Sequence, residues 1–250
     1  MTTRSRIEGT VGSVLRLAVS AAMLLAAVLG AAMPVDAQLP TTRLDAVFPV
    51  GGNPGKAVEI TIAGVDLDDV AQLQFSHPGI TAAPKMADPG PFDASPQPVE
   101  NRFVVTVKPD VPAGVYTVRC IGKYGLSNAR VFVVHAGEST LEVEPNNELR
   151  EANEIKLPAV LDGQFATAAD QDWYHFTGAA GQRLVIDAFS KRVDSRAELK
   201  MTLFSADGRI VAESRPTLSG DGMMQVALPA AGEYRSEEHT SELQSRGLIS

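Results

Sequence analysis

A single cysteine stands among 250 residues, so neither a disulfide framework nor a cysteine-ligated zinc site can be built. Cys120 falls in an alternating apolar stretch and reads as a small core hydrophobe. Aromatic residues make up 6% of the chain, with one Trp, which argues against a saccharide-binding face lined with exposed rings. A basic surplus is also missing. Lys and Arg number 22 against 30 Asp and Glu, a formal charge of −8, and a surface of that sign repels nucleic-acid phosphates. The chain contains no H-E-x-x-H pair, G-x-S-x-G elbow, phosphate loop or dinucleotide fingerprint. His77, His135 and His175 lie in no catalytic motif. Counting leaves open only a Ser/His/Asp set assembled in space, and no enzyme is expected.

What the chain does have is 44% hydrophobic residues with 21 Gly and 16 Pro, the composition of a globular protein rich in turns. Its two ends differ from the rest. Arg4, Arg6 and Arg16 precede an apolar run from Leu17 to Met33, followed by Val35-Asp36-Ala37. Basic, apolar and small-residue regions in that order predict a signal peptide over 1–37, cleaved after Ala37. The competing reading is one membrane anchor, for which the run sits at the short limit and no basic flank follows. Cleavage predicts a secreted, periplasmic or cell-envelope protein with no membrane association thereafter. At the other end, RSEEHTSELQS from Arg235 resembles the in-frame translation of a common sequencing adapter. Residues 235–250 are accordingly expected to be foreign to the fold and to pack poorly. The other reading is a polar, Ser/Glu-rich tail.

Between these ends the pattern is strand and turn. Val58, Ile60 and Ile62 alternate with polar residues, as do Phe103, Val105 and Val107, and then Tyr116, Val118 and Cys120. Arg130–Val134 reads as a further strand. Gly51-Gly52-Asn53-Pro54-Gly55, Pro78-Gly79 and Pro112-Ala113-Gly114 reverse the chain between them. The segments LDAVFPVGGNPGKAVEITIAGVDL and AGVYTVRCIGKYGLSNARVFVV, with the turn Gly125-Leu126-Ser127-Asn128, resemble an immunoglobulin-like module of the IPT/TIG kind. That resemblance implies a β-sandwich over 38–135.

Residues 136–141 are small and polar and read as a linker. Beyond them, Leu184/Ile186/Ala188, Leu199/Met201/Leu203 and Met224/Val226/Leu228 alternate, and Asp207-Gly208 marks a hairpin. The segments EVEPNNELREANEIKLP, GQFATAADQDWYHFTGAAGQRLVIDAF, LFSADGRIVAES and LPAAGEY resemble the bacterial pre-peptidase C-terminal (PPC) domain. The match covers 142–234 and implies a second, jelly-roll-like sandwich. The family's last strand follows the closing Tyr, so it is expected to be missing here, leaving an open sheet edge. The fold class is therefore all-β, with two consecutive β-sandwiches, the second truncated.

Two acidic pairs, Glu142 with Glu144 and Asp170 with Asp172, have the i, i+2 spacing that shares one face of an extended chain. With the amides of Asn146 and Asn147 they offer the oxygen-rich, anionic set that Ca²⁺ takes. The bland alternative is an acidic linker and a solvated strand face. The resemblance adds to the first reading. Collagen-binding domains of secreted collagenases, which are similar to PPC domains, bind Ca²⁺ through an acidic, Asn-containing segment and a later Asp-x-Asp site. By position this implies Glu142, Glu144, Asn146, Asn147, Asp170 and Asp172. Trp173 reads as a packing residue or as an exposed platform, and Tyr174 and Phe176 as core.

The expectation is a non-catalytic pair of binding or structural modules from a larger extracellular bacterial protein, stiffened by Ca²⁺ at its junction. Its partner would be an extracellular polymer or protein, with further domains of the same parent chain. The alternative is an ancillary region of a secreted peptidase or other hydrolase.

Overall fold

A computed structural model describes residues 39–90, 95–165, 170–217 and 220–240. The signal peptide expected over 1–37 lies outside the described residues, as does the chain beyond Thr240. Among the described residues no helix is long and apolar enough to cross a membrane.

Among the described residues the chain is all-β apart from two single-turn 3₁₀ segments, Leu149–Glu151 and Lys191–Val193. The first nine strands are β1 (Arg43–Phe48), β2 (Gly51–Gly52), β3 (Ala57–Val65), β4 (Gln72–Phe75), β5 (Ile80–Met86), β6 (Pro98–Val107), β7 (Gly114–Gly122), β8 (Gly125–Leu126) and β9 (Arg130–Val134). They form one sheet in the order β1-β3-β6-β5 and a second in the order β2-β9-β7-β4, with β8 hairpinned onto β7. Alternation along the strands sends Ile60, Ile62, Phe103 and Val105 inward from the first sheet, and Val118, Cys120, Phe132 and Val134 from the second. All are exposed by 2% or less. Burial of each such aliphatic or aromatic side chain contributes about 1.5–3 kcal/mol. Cys120 is a core residue, as its alternation predicts.

The Ser127-Asn128 turn joins the two sheets. Leu44 N–H donates to Asn128 Oδ1 at 2.8 Å, and Asn128 Nδ2 donates to the Leu44 carbonyl at 2.8 Å. The side-chain amide thus stands in for a strand neighbour of β1. Ser127 Oγ accepts from Cys120 N–H at 2.9 Å, so the hairpin end is fixed to β7 as well.

The remaining strands are β10 (Ser139–Leu141), β11 (Asn153–Glu154), β12 (Val160–Asp162), β13 (Gln171–Gly178), β14 (Arg183–Asp187), β15 (Leu199–Ser205), β16 (Ile210–Glu213), β17 (Arg215–Pro216), β18 (Gly222–Ala227) and β19 (Gly232–Thr240). A five-stranded sheet runs β11-β13-β19-β15-β16 and a three-stranded one β14-β18-β17. β10 and β12 form a short parallel pair. Phe176, Met201, Leu203 and Tyr234 from the larger sheet meet Leu184, Met224 and Leu228 in a second core. The Phe176 and Tyr234 rings stack at 5.9 Å. The Asp207-Gly208 hairpin forms as its sequence predicts, Gly208 taking φ +80°.

Two expectations are corrected. Part of the 136–141 linker is strand, since Ser139–Leu141 pairs with Val160–Asp162. More substantially, the last strand is present. β19 continues past Tyr234 through Thr240, hydrogen-bonded to β13 on one side and β15 on the other, and no edge is left open there. Residues 235–250 are expected to pack poorly because RSEEHTSELQS resembles a translated adapter; of these, 235–240 are described and pair as strand. Backbone pairing with two waiting strands satisfies their N–H and C=O groups regardless of side chain. The mismatch appears in the side chains instead: Ser236 is buried with its hydroxyl unpartnered.

Candidate metal centre

Asp172, Tyr174 and Phe176 alternate along β13 and face inward, with Asp170 just ahead of the strand. Asp170 is 4% exposed and Asp172 3%, so this pair does not occupy the solvated strand face that the bland reading requires. Across from it runs the irregular chain after β10. Val143 is held through both backbone groups by the Asn153 side chain: its N–H donates to Oδ1 at 2.7 Å, and Nδ2 donates to its carbonyl at 2.9 Å. Three residues on, Trp173 N–H donates to the Asn146 carbonyl at 3.0 Å. These bonds bring Glu144 and Asn146 against the head of β13.

One carboxylate oxygen from each of Glu144, Asp170 and Asp172 lies within 4.8 Å of the other two. That limit is about twice a Ca²⁺–oxygen bond of roughly 2.3–2.6 Å. The fourth member is Asn146, which has no exposed surface. One end of its side-chain amide lies 2.9 Å from Glu144 Oε2 and 3.1 Å from Asp172 Oδ1. With the nitrogen at that end, the amide donates to both carboxylates. With the oxygen there, three oxygens converge in a way that only a cation among them would stabilise. The donor set of three carboxylates and one amide oxygen fits a hard cation.

The other expected ligands fall outside this group. Glu142 is buried beside it, but its Oε2 accepts from Tyr174 Oη at 3.0 Å and its Oε1 accepts from Gln164 N–H. The chain after Leu141 leaves the regular strand, and Glu142 is buried while Glu144 is exposed, so the two do not share a face as their spacing predicts. Asn147 is exposed, unlike buried Asn146. Glu238 on β19, paired in register with Asp172, is a carboxylate outside the expected set, because residues 235–250 read as foreign to the fold. The i, i+2 spacing of Ser236 and Glu238 after the inward Tyr234 was the available signal.

Electrostatics mark the cluster. Burial pushes the Asp172 carboxyl up to about 8, and the charges of Glu142, Asp170, Glu238 and Glu144 push it the same way. Half-buried Glu238 is raised to about 7 by its surroundings and by Glu142. Burial also raises Glu142, against the pull of Gln164 N–H and Tyr174 Oη. The Tyr174 phenol is pushed up as well, first by burial and then by the neighbouring carboxylates.

Trp173 is half-buried and stacks on Phe204 at 5.7 Å, so it packs on the outer face of the sheet. His77 accepts from Gly79 N–H through Nδ1 and meets the Tyr116 ring edge-on. His135 Nε2 lies 3.1 Å from Asp162 Oδ2, with both residues buried.

No family model matches this sequence, and no curated protein matches it. Several solved structures resemble it in outline. A Bacteroides ovatus mixed-linkage glucan utilization locus protein, SGBP-B, in complex with a mixed-linkage heptasaccharide, is 15% identical over 79% of this chain and 38% of its own, with TM-score 0.26. The BSP domain of a biofilm-associated protein is 8% identical over 80% of this chain and 27% of its own, TM-score 0.22. The fibronectin(III)-like modules of Clostridium thermocellum CbhA are 10% identical over 86% of this chain and 97% of theirs, TM-score 0.23. The chain thus spans well under half the length of the first two. These scores carry nothing about the site, which rests on its own geometry.

Proposed function

We propose that this chain is a non-catalytic pair of extracellular β-sandwich modules, and that Glu144, Asp170, Asp172 and the Asn146 amide oxygen hold Ca²⁺. The buried convergence of Asn146 on Glu144 and Asp172 carries the reading. A cation there offsets the crowded negative charge that, with burial, pushes Asp172 up to about 8, and it ties the chain between the sandwiches to β13. Its role is mechanical: any ligand that binds only the folded state adds its binding free energy to stability. The leader-like residues 1–37 support an extracellular setting, in which millimolar Ca²⁺ can occupy a site of modest affinity. An extracellular polymer or protein is the expected partner of such modules.

The test is a thermal melt of the chelator-stripped protein. Added millimolar Ca²⁺ should raise Tm, and Glu144→Ala combined with Asp172→Ala should abolish the rise. Terbium in place of calcium should luminesce on excitation of Trp173, whose backbone borders the site. Absence of both the Tm shift and the terbium signal would refute the site.

A further inference from the structure

We propose that the loop Ser190–Ser195 of the second sandwich is a strap locked onto the free edge of β9, so that both sandwiches move as one rigid body. The argument begins with an incomplete edge. β9 pairs with β7 along Arg130–Val134, but on its other side β2 reaches only Val133 and Val134. On that side Val133 N–H donates to the Val50 carbonyl and His135 N–H to that of Gly52. Backbone donors alternate in direction along a strand, so Val131 N–H is next in line on the same edge, past the end of β2. It donates to Asp194 Oδ2 at 3.0 Å. A carboxylate from the second sandwich thus completes the edge of a sheet in the first.

The strap is built to hold that carboxylate in place. Asp221, with no exposed surface, accepts from Ser190 N–H at 3.1 Å and Lys191 N–H at 2.6 Å, and from Arg192 Nε at 2.6 Å. Those bonds shape the turn of 3₁₀ helix at Lys191–Val193. Asp194 follows in the left-handed region at φ +65°, closed by its own N–H to the Lys191 carbonyl. Outside glycine, Asp and Asn are the residues that adopt this conformation most readily. Asp194 therefore meets two requirements at once, the backbone turn and the reach to β9.

Two further latches meet the same edge of the first sandwich. Asn53, just after β2, takes both Ser139 N–H and Ser139 Oγ on its Oδ1 at 3.1 Å, and donates through Nδ2 to the Gly137 carbonyl. The buried His135–Asp162 contact joins the end of β9 to the end of β12. A covalent linker alone would leave the sandwiches free to swing. Asp194 and Asn53 fix separate points of that edge and remove the freedom; the His135–Asp162 contact by itself is one point, about which the sandwiches could still pivot.

Backbone ¹⁵N relaxation on the full chain reads the prediction directly. The wild type should show one rotational correlation time shared by both sandwiches. Asp194→Gly keeps the left-handed turn without its carboxylate, and Asn53→Ala removes the second latch. The double variant should give two shorter correlation times, with amide dispersion retained in each sandwich. Asp194→Asn, which still offers an oxygen acceptor, should restore a single time when Asn53 is intact. Two correlation times in the wild type would overturn the proposal. So would a double variant that tumbles as the wild type does. If the double variant unfolds, the wild-type measurement and Asp194→Gly alone still decide.

Discussion

Asp172 and Glu238 face each other in register across β13 and β19, two carboxylates on neighbouring strands with buried Glu142 close by. Like charges directly opposed on a sheet are destabilising, and here burial magnifies the effect. Burial and the neighbouring charges shift both carboxyls toward the protonated form.

A pH dependence follows. Asp172 goes from an ordinary 3.8 to about 8 on folding, and Glu238 from 4.5 to about 7. Between those limits the folded state binds more protons than the unfolded one. The stability these protonated groups confer is complete below their unfolded values and is lost as pH rises through about 7 to 8. In chelator, Tm should fall between about pH 5.5 and about pH 8.5. Asp172→Asn should flatten that fall, and saturating Ca²⁺ should reverse it at the alkaline end. A wild-type Tm independent of pH over this window would contradict the assignment.

The core strands were legible from the sequence because period-2 alternation has one physical cause, a sheet with one buried face. Ile60, Phe103, Val118 and Met201 all lie inside where the pattern puts them. The acidic pairs were half legible. Asp170 and Asp172 flank an extended strand, and the spacing rule holds. Glu142 and Glu144 lie in an irregular segment, where spacing does not fix direction and hydrogen bonds of Glu142 with Tyr174 and Gln164 decide instead. β19 was misjudged past Tyr234, since its pairing comes from the vacant hydrogen-bonding edges of β13 and β15 and not from its own side chains. The strap at Asp194 had no sequence signal, because it depends on where β2 stops along β9.

The side chains of β19 give the next prediction. Ser236 lies between Tyr174 and Leu203 in register, 4% exposed, with no partner for its hydroxyl. An unsatisfied buried hydroxyl costs about 1–3 kcal/mol. Ser236→Val removes it, adds apolar surface to the core and suits a strand. Stability should rise by about 1–2 kcal/mol, seen as a higher urea midpoint at unchanged m-value. A fall in midpoint would show the position to be overpacked.

The Asn128 amide should be worth more than one bond. Asn128→Ala deprives the Leu44 N–H of its acceptor and leaves the Leu44 carbonyl to Arg130 Nε alone, at 3.0 Å, and should cost about 1–2 kcal/mol. Asn128→Asp retains the acceptor for Leu44 N–H but puts a second oxygen against the Leu44 carbonyl. Its loss should be comparable to that of Ala at neutral pH and smaller in acid, where a protonated Asp can donate again. Equal losses for both variants at every pH would mean that the donor half of the amide contributes nothing.

Glycine substitutions offer a matched pair on the first sandwich. A Cβ at Gly64 would lie 2.0 Å from the Arg43 carbonyl oxygen and 3.2 Å from Asp45 N. Both are backbone atoms of β1, beside the irregular register between Leu44 and Ala46, and neither can turn aside as a flexible side chain would. Gly64→Ala must therefore displace a strand that carries Leu44 into the core and receives the Asn128 amide. The expected cost is about 3 kcal/mol. At Gly114 a Cβ meets nothing within 4 Å, and Gly114→Ala should be neutral or stabilise by up to about 1 kcal/mol through the unfolded chain. Chemical denaturation of the two variants separates close backbone approach from glycine content as such. Similar losses at both positions would show that the β1–β3 contact is not what requires glycine at 64.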